Sequence, residues 1–169
     1  MTVALEAPKG TEFRDPRALL NAVRPYVKEL TYNVFEGPGN TSDLYDREIA
    51  LLLRDNTMVR NMAERILDNA IAYTITAMEH PEVHLGVGKV VDIGVHQLLL
   101  DTPVYFAICE AYNAGRYKHH APLIRRRGDG IVIRTAEFLR GNGFDADEEL
   151  WAVDGANCSP CDSKVPDSH

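Results

Sequence analysis

Apolar side chains recur at every third or fourth position through the middle of the chain, and this spacing constrains the fold more than any other feature. From Met58 to Ala77 the pattern runs without a glycine or proline, which predicts one long helix. Shorter stretches with the same spacing lie on both sides, bounded by proline, glycine or capping residues. Only segments 87–93 and 131–133 resemble strands, and both are too short to build a sheet. The sequence therefore predicts an all-α fold.

The boundary signals predict a compact bundle of about six short helices. Asp15 and Pro16 start the first helix, because Asp accepts free N–H groups and proline in the first turn loses no internal bond. Pro25 kinks or ends that helix, and Asp145 caps the last one. The remaining predicted helices cover approximately 43–53, 57–77, 90–100, 101–115 and 131–140. Asn56-Thr57 interrupts the chain between the first two of these, and glycines or prolines separate the others. The predicted organisation is a flexible arm (1–14), a helical domain (15–153) and a cysteine-bearing tail (154–169).

Composition narrows the class of protein. A chain of 169 residues with 45% apolar side chains fits one domain with a real core. The net charge of −7 argues against a protein whose whole surface binds nucleic acid or an anionic membrane. No stretch approaches the roughly 20 apolar residues that span a bilayer, and no secretory signal pattern is present, so we expect a cytoplasmic protein. Under reducing conditions Cys109 is expected to be a small buried residue and not a nucleophile.

Histidines and one aspartate form the pattern with most chemical content. Asp92 and His96 are four positions apart, which places them on one face of a helix, and His119 and His120 follow after the next helix. If His119 or His120 meets the first pair, the result is two histidines and one carboxylate. That set suits a divalent transition metal such as zinc or iron. The first hypothesis is therefore a metal-binding protein, with a metal-dependent enzyme as its extension.

Two other interpretations of Asp92 and His96 stay open at this point. In the first interpretation, Asp92 caps the helix and His96 is a buried histidine bonded to a backbone carbonyl. In the second, the carboxylate raises the basicity of the imidazole for acid–base catalysis without a metal.

The C-terminal tail carries a second candidate metal site. Cys158 and Cys161 have the C-x₂-C spacing that presents two thiolates to one metal, and His169 is a third candidate ligand. A redox role is disfavoured, because the motif lies beside prolines and not at a helix start in a βαβ unit. The tail is alternatively unstructured and metal-free, or it is bound or modified by a protein partner. That last option defines the alternative hypothesis of a non-enzymatic interaction or scaffold protein.

A basic stretch from Arg116 to Arg127 contains five Lys or Arg residues, two histidines and no acidic residue. Tyr117 within it is suited to stacking on a base. Such a run is more often a solvated loop, and no nucleic-acid-binding motif accompanies it. Binding of an anion or nucleic acid through Arg125, Arg126 and Arg127 is therefore the third and weakest hypothesis.

Five parts of the chain carry a family resemblance: segments 90–102 and 115–122, Gly143-Phe144, Leu150-Trp151 and the cysteine-bearing end. Over roughly residues 58–169, the chain resembles the bacterial glycine-rich-domain-containing-protein-like family. The resemblance implies a helical fold more than any activity. It also implies that six residues belong to one pattern: Asp92, His96, Tyr105, Cys109, His119 and His120. The chain departs from the family at Val95, where tryptophan is usual, and in having only two tail cysteines.

Overall fold

The computed structural model describes residues 13–28, 43–121 and 129–156, and within these ranges the chain is helical with no strand. The predicted all-α fold is therefore confirmed. The described ranges hold seven α-helices and one 3₁₀ turn (Arg24–Tyr26): α1 (Pro16–Asn21), α2 (Leu44–Asp55), α3 (Arg60–Glu79), α4 (Lys89–Leu100), α5 (Thr102–Tyr112), α6 (Ile131–Gly141) and α7 (Glu148–Ala156).

Helices α3 and α4 form the centre of the molecule. α3 contacts α1, α2, α4, α5 and α6, while α4 contacts α2, α3, α5 and α7. From Ile66 to Met78 every α3 residue except Asp68 is buried. This part of the helix is therefore surrounded by protein on all sides, whereas a surface helix buries one apolar face. The predicted break near Asn56 is confirmed, since α2 ends at Asp55.

A glycine on α4 sets how closely the two central helices approach. A Cβ atom added to Gly94 would lie 2.7 Å from the Cβ of Ala70 and 3.0 Å from Cγ2 of Ile66. Real carbon atoms do not pack that closely, so any larger residue would force α4 away from α3. The distance between these helices matters for the site, because Gly94 lies midway between Asp92 and His96.

The segment between α3 and α4 is anchored to α6. The backbone N–H of Gly86 donates to the Thr135 hydroxyl at 2.9 Å, and that hydroxyl donates to the carbonyl of Ile131 at 2.8 Å. A Cβ atom at Gly86 would lie only 2.7 Å from Cγ2 of Ile131. These contacts fix the loop that later forms one wall of a cavity.

A buried polar cluster joins α2 to α4 on the other side. Glu48 is fully buried, and Gln97 Nε2 donates to its Oε2 at 2.9 Å. Arg47 Nε donates to Asp101 Oδ2 at 2.7 Å. Burial, and then the neighbouring Asp101 carboxylate, raise the pKa of Glu48 to about 8. This shift favours the protonated, neutral form of Glu48 near pH 7.

The last helix begins later than predicted, and the prediction that Asp145 caps it is wrong. α7 begins at Glu148, and the carboxylate of Asp147 accepts the backbone N–H of Leu150 at 3.0 Å. Arg65 holds that carboxylate with two bonds of 2.6 and 3.0 Å. The tertiary contact with α3 thus decides between two aspartates that are equally good caps by sequence.

Most of the predicted arm and almost all of the predicted tail, residues 1–12 and 157–169, lie outside the described residues. Arg14, at the end of the predicted arm, donates to Glu79 at 2.8 and 2.9 Å. Its backbone N–H also donates to the carbonyl of Gly143 at 2.7 Å. In the part of the chain that the structure describes, no helix has both the length and the apolar character needed to cross a membrane.

Candidate metal centre

Helix α4 presents Asp92 and His96 one turn apart, as the spacing predicts. His96 Nδ1 lies 2.9 Å from the backbone carbonyl oxygen of Asp92 and 3.4 Å from its Oδ1. Because a carbonyl oxygen only accepts, a hydrogen bond here requires the hydrogen on Nδ1, and a neutral ring then has its lone pair on Nε2. The side chain of His96 is 49% exposed. The backbone bond expected of a structural histidine is therefore present, but the expected burial is not.

His120 comes from the segment that follows α5. After α5 the chain reverses through Ala114 and Gly115, which have φ values of 50° and 74°. The N–H of Gly115 donates back to the carbonyl of Cys109 at 3.0 Å, which closes the helix as predicted. The Tyr105 hydroxyl donates to the carbonyl of Lys118. These bonds hold the segment against α5 two residues before His120.

The two histidines share one carboxylate. His120 Nε2 lies 3.1 Å from Asp92 Oδ1, and the two side chains are only 11% and 15% exposed. The rings of His96 and His120 are 4.9 Å apart between centroids and almost perpendicular, at 89°. One ligand atom from each of the three residues lies within 4.8 Å of the others.

These distances are close to those of a metal centre. Metal–ligand bonds to histidine and carboxylate are about 2.0–2.2 Å. Two ligand atoms 3.1 Å apart then subtend roughly 90–100° at a shared ion, which suits octahedral or distorted tetrahedral geometry. Two ligands of one ion lie at most about 4.2 Å apart at such bond lengths. The 4.8 Å that encloses the three ligand atoms is slightly larger, so binding of an ion would draw the side chains together.

The other predicted ligands do not join this cluster. His119 is exposed and lies outside the set of ligand atoms, although the neighbouring His120 is inside it. Of the two adjacent histidines, only His120 meets Asp92. Cys158, Cys161 and His169 lie outside the described residues.

A cavity of about 310 Å³ adjoins the cluster and shares His120 with it. Its walls come from α3, α4, α5, the loop after α3 and the segment that carries the histidines. The sequence did not mark most of its lining. The residues around it are Tyr73, Thr74, Ala77, Pro81, Glu82, Val83, His84, Leu85, Val95, Leu99, Tyr105, Lys118, His119 and His120.

Tyr73 lines the cavity and is close enough to Asp92 for the charge of the carboxylate to act on its phenol. Burial, and then the charge of Asp92, raise the pKa of Tyr73 to about 12. The phenol is therefore neutral at physiological pH. Tyr73 lies within the apolar pattern of residues 58–77, and nothing in that pattern distinguishes it from an ordinary core residue.

Cys109 is buried on α5, as predicted. Burial raises the pKa of its thiol, which keeps it protonated and unreactive. Tyr105 lies beside it, and burial likewise raises the pKa of that phenol. Cys109 does not belong to the Asp92 cluster, and Tyr105 lines the cavity.

Only the first part of the basic stretch is described, and Arg125, Arg126 and Arg127 lie outside it. Tyr117 is exposed and stacks on Phe106, with 4.8 Å between ring centroids and 32° between planes. The ring that the sequence suggested for base stacking thus has one face against a protein side chain.

Comparison of the chain with protein-family models, with curated proteins and with solved structures finds no match in any of the three. The resemblance to the glycine-rich-domain-containing-protein-like family stays a prediction. Fold and site together define the molecule as an all-α protein with a candidate Asp–His–His centre.

Proposed function

We propose that this protein binds one divalent transition metal ion, zinc or iron, through Asp92, His96 and His120. The observation that carries the proposal is the convergence of one carboxylate oxygen and two imidazole nitrogens within 4.8 Å of one another. Imidazole with carboxylate is a ligand set of zinc and iron, whereas magnesium and calcium prefer oxygen alone. The hydrogen bond from His96 Nδ1 to a backbone carbonyl supports the proposal, because metal-binding histidines are commonly oriented in this way.

The ligand count favours an open site over a closed structural one. Three protein ligands leave at least one position for water or a substrate on a four-coordinate ion. An ion in that state polarises a bound carbonyl or lowers the pKa of a bound water. The adjacent cavity, which shares His120, gives a second molecule a place beside the ion. Metal-assisted chemistry on a small molecule is therefore the class of activity that we infer.

Without a metal, the same distances describe a carboxylate in electrostatic contact with two imidazole rings. That arrangement would serve a structural or acid–base role, and zinc titration separates it from the proposal. The predicted protein partner of the tail stays a separate prediction.

Isothermal titration calorimetry with zinc chloride tests the proposal on the full chain carrying Cys158→Ser and Cys161→Ser, which removes the tail thiols. We expect one zinc ion per chain. His96→Ala and His120→Ala should each weaken binding at least about a hundredfold, because loss of a direct ligand exceeds the roughly 10–100-fold effect of an outer-shell partner.

The matched control is His119→Ala, which removes a neighbouring histidine from outside the cluster. It should bind zinc as the parent does, and circular dichroism checks that every variant remains helical. Absence of zinc binding in the parent, or undiminished binding in a folded His120→Ala variant, would refute the proposal.

A further inference from the structure

The cavity beside the metal centre has the size and lining of a small-molecule site. Its volume of about 310 Å³ is at the lower end of the roughly 300–1,000 Å³ typical of ligand pockets. One wall is apolar and consists of buried side chains from three elements, among them Ala77, Leu85 and Val95. Such a wall accommodates a short hydrocarbon chain.

The polar side of the cavity has an excess of basic groups. Lys118 and His119 lie on the segment that also carries His120, and all three line the cavity. No ion pair joins Lys118 to an acidic residue in the described ranges. Glu82 is the acidic residue of the lining, but its side chain is 69% exposed and its Oε1 lies 3.5 Å from His80 Nδ1. The charge of Glu82 is therefore screened by solvent.

A bound metal ion would add to this positive charge. Asp92 carries one negative charge and neutral histidines carry none, so a divalent ion at the centre leaves a net charge of about +1 next to the cavity. In a partly enclosed site, that charge and the Lys118 ammonium both favour an anion over a neutral or cationic molecule.

We infer that the cavity binds a small carboxylate with a short apolar chain, its carboxylate on the side of Lys118 and the metal and its chain against Ala77, Leu85 and Val95. This inference rests on the proposed metal site.

The test compares three six-carbon probes on the zinc-loaded full chain with Cys158→Ser and Cys161→Ser: sodium hexanoate, 1-hexanol and hexylammonium chloride. NMR titration should give a dissociation constant for hexanoate at least tenfold lower than for either other probe. Removal of zinc with chelator should weaken hexanoate binding at least tenfold. Leu99→Trp, which adds bulk to the apolar wall, should abolish binding of every probe.

Lys118→Met keeps the length of the side chain and removes its charge, so it should cost at least tenfold in hexanoate affinity and leave hexanol unchanged. Lys89→Met, at an exposed lysine of α4 outside the lining, is the matched control and should change neither.

Zinc binding is measured first, so the two proposals fail separately. A chain that binds zinc but not hexanoate overturns the cavity inference and leaves the metal centre intact. Equal affinity for the three probes, equal affinity with and without zinc, or an unaffected Lys118→Met variant also overturns it. A chain that binds no zinc refutes the proposed function and this inference with it.

Discussion

Asp92 is the residue on which the candidate site depends, because its carboxylate faces both histidines. It lies in the first turn of α4, where the free N–H groups and the helix dipole favour a negative charge. From there Oδ1 lies 3.1 Å from His120 Nε2 and 3.4 Å from His96 Nδ1. A carboxylate in that position either interacts electrostatically with the two rings or binds a metal together with them.

Glu48 provides a prediction that is independent of any metal. Its pKa is raised to about 8 in the folded chain, whereas an unfolded chain releases that proton near pH 4.3. Between these values the folded state holds one more proton than the unfolded state. The free energy of unfolding should therefore fall as pH rises from about 5 to 8, by at most about 1.4 kcal/mol per pH unit from this residue.

Glu48→Gln keeps the shape of the neutral acid and cannot ionise. Relative to the parent, it should gain stability from pH 5 to pH 8.5 in urea unfolding experiments. The control Glu137→Gln, at an exposed position on α6, should leave the pH dependence unchanged. A parent-like pH dependence in Glu48→Gln would show that Glu48 does not carry the extra proton.

For individual residues, the spacing in the sequence predicts part of the candidate metal centre. The four-residue interval predicts that Asp92 and His96 share a face, and the structure confirms it. The choice between His119 and His120 depends on how the chain turns after α5, which no periodic pattern contains. Glu48 was missed for a different reason. It precedes Leu52 by one turn on the buried side of α2, but a charged residue there normally indicates an exposed position.

Among the helices, α4 matters most to function, because it packs against α3 and carries two of the three candidate ligands. Gly94 allows that packing, with Ala70 and Ile66 directly opposite. The sequence predicts the helix but not this contact, since a glycine within a helical pattern has no periodic signature. The packing role of Gly94 becomes apparent only when the helix that it contacts is known.

Gly94→Ala should lower the free energy of unfolding by about 1–3 kcal/mol, since overpacking forces the two helices apart. The displacement of α4 should also weaken zinc binding. Gly141→Ala is the matched control, because a Cβ atom there meets nothing within 4 Å. That variant should be neutral or stabilised by up to about 1 kcal/mol. Equal stabilities for the two variants in urea unfolding would contradict the close approach of α3 and α4.

At the scale of the whole molecule, the bundle brings together segments that are far apart in sequence. The metal candidates lie on α4 and on the segment after α5, and the cavity adds side chains from α3 and from the loop that Thr135 anchors. Local patterns predict each helix, but they do not predict which helices enclose a cavity. The helix boundaries show the same difference between local and tertiary signals. Glycine and proline mark most helix ends correctly, while the start of α7 depends on Arg65 of a distant helix.

The central claim is that Asp92, His96 and His120 bind one metal ion, and X-ray absorption at the zinc edge tests it most directly. The sample is the full chain with Cys158→Ser and Cys161→Ser, loaded with one equivalent of zinc. We expect two imidazole nitrogens at about 2.0–2.1 Å, with the outer-shell scattering of their rings, and carboxylate oxygen at about 2.0–2.2 Å. His120→Ala should remove one imidazole. A first shell of oxygen alone, without imidazole scattering, would contradict the account.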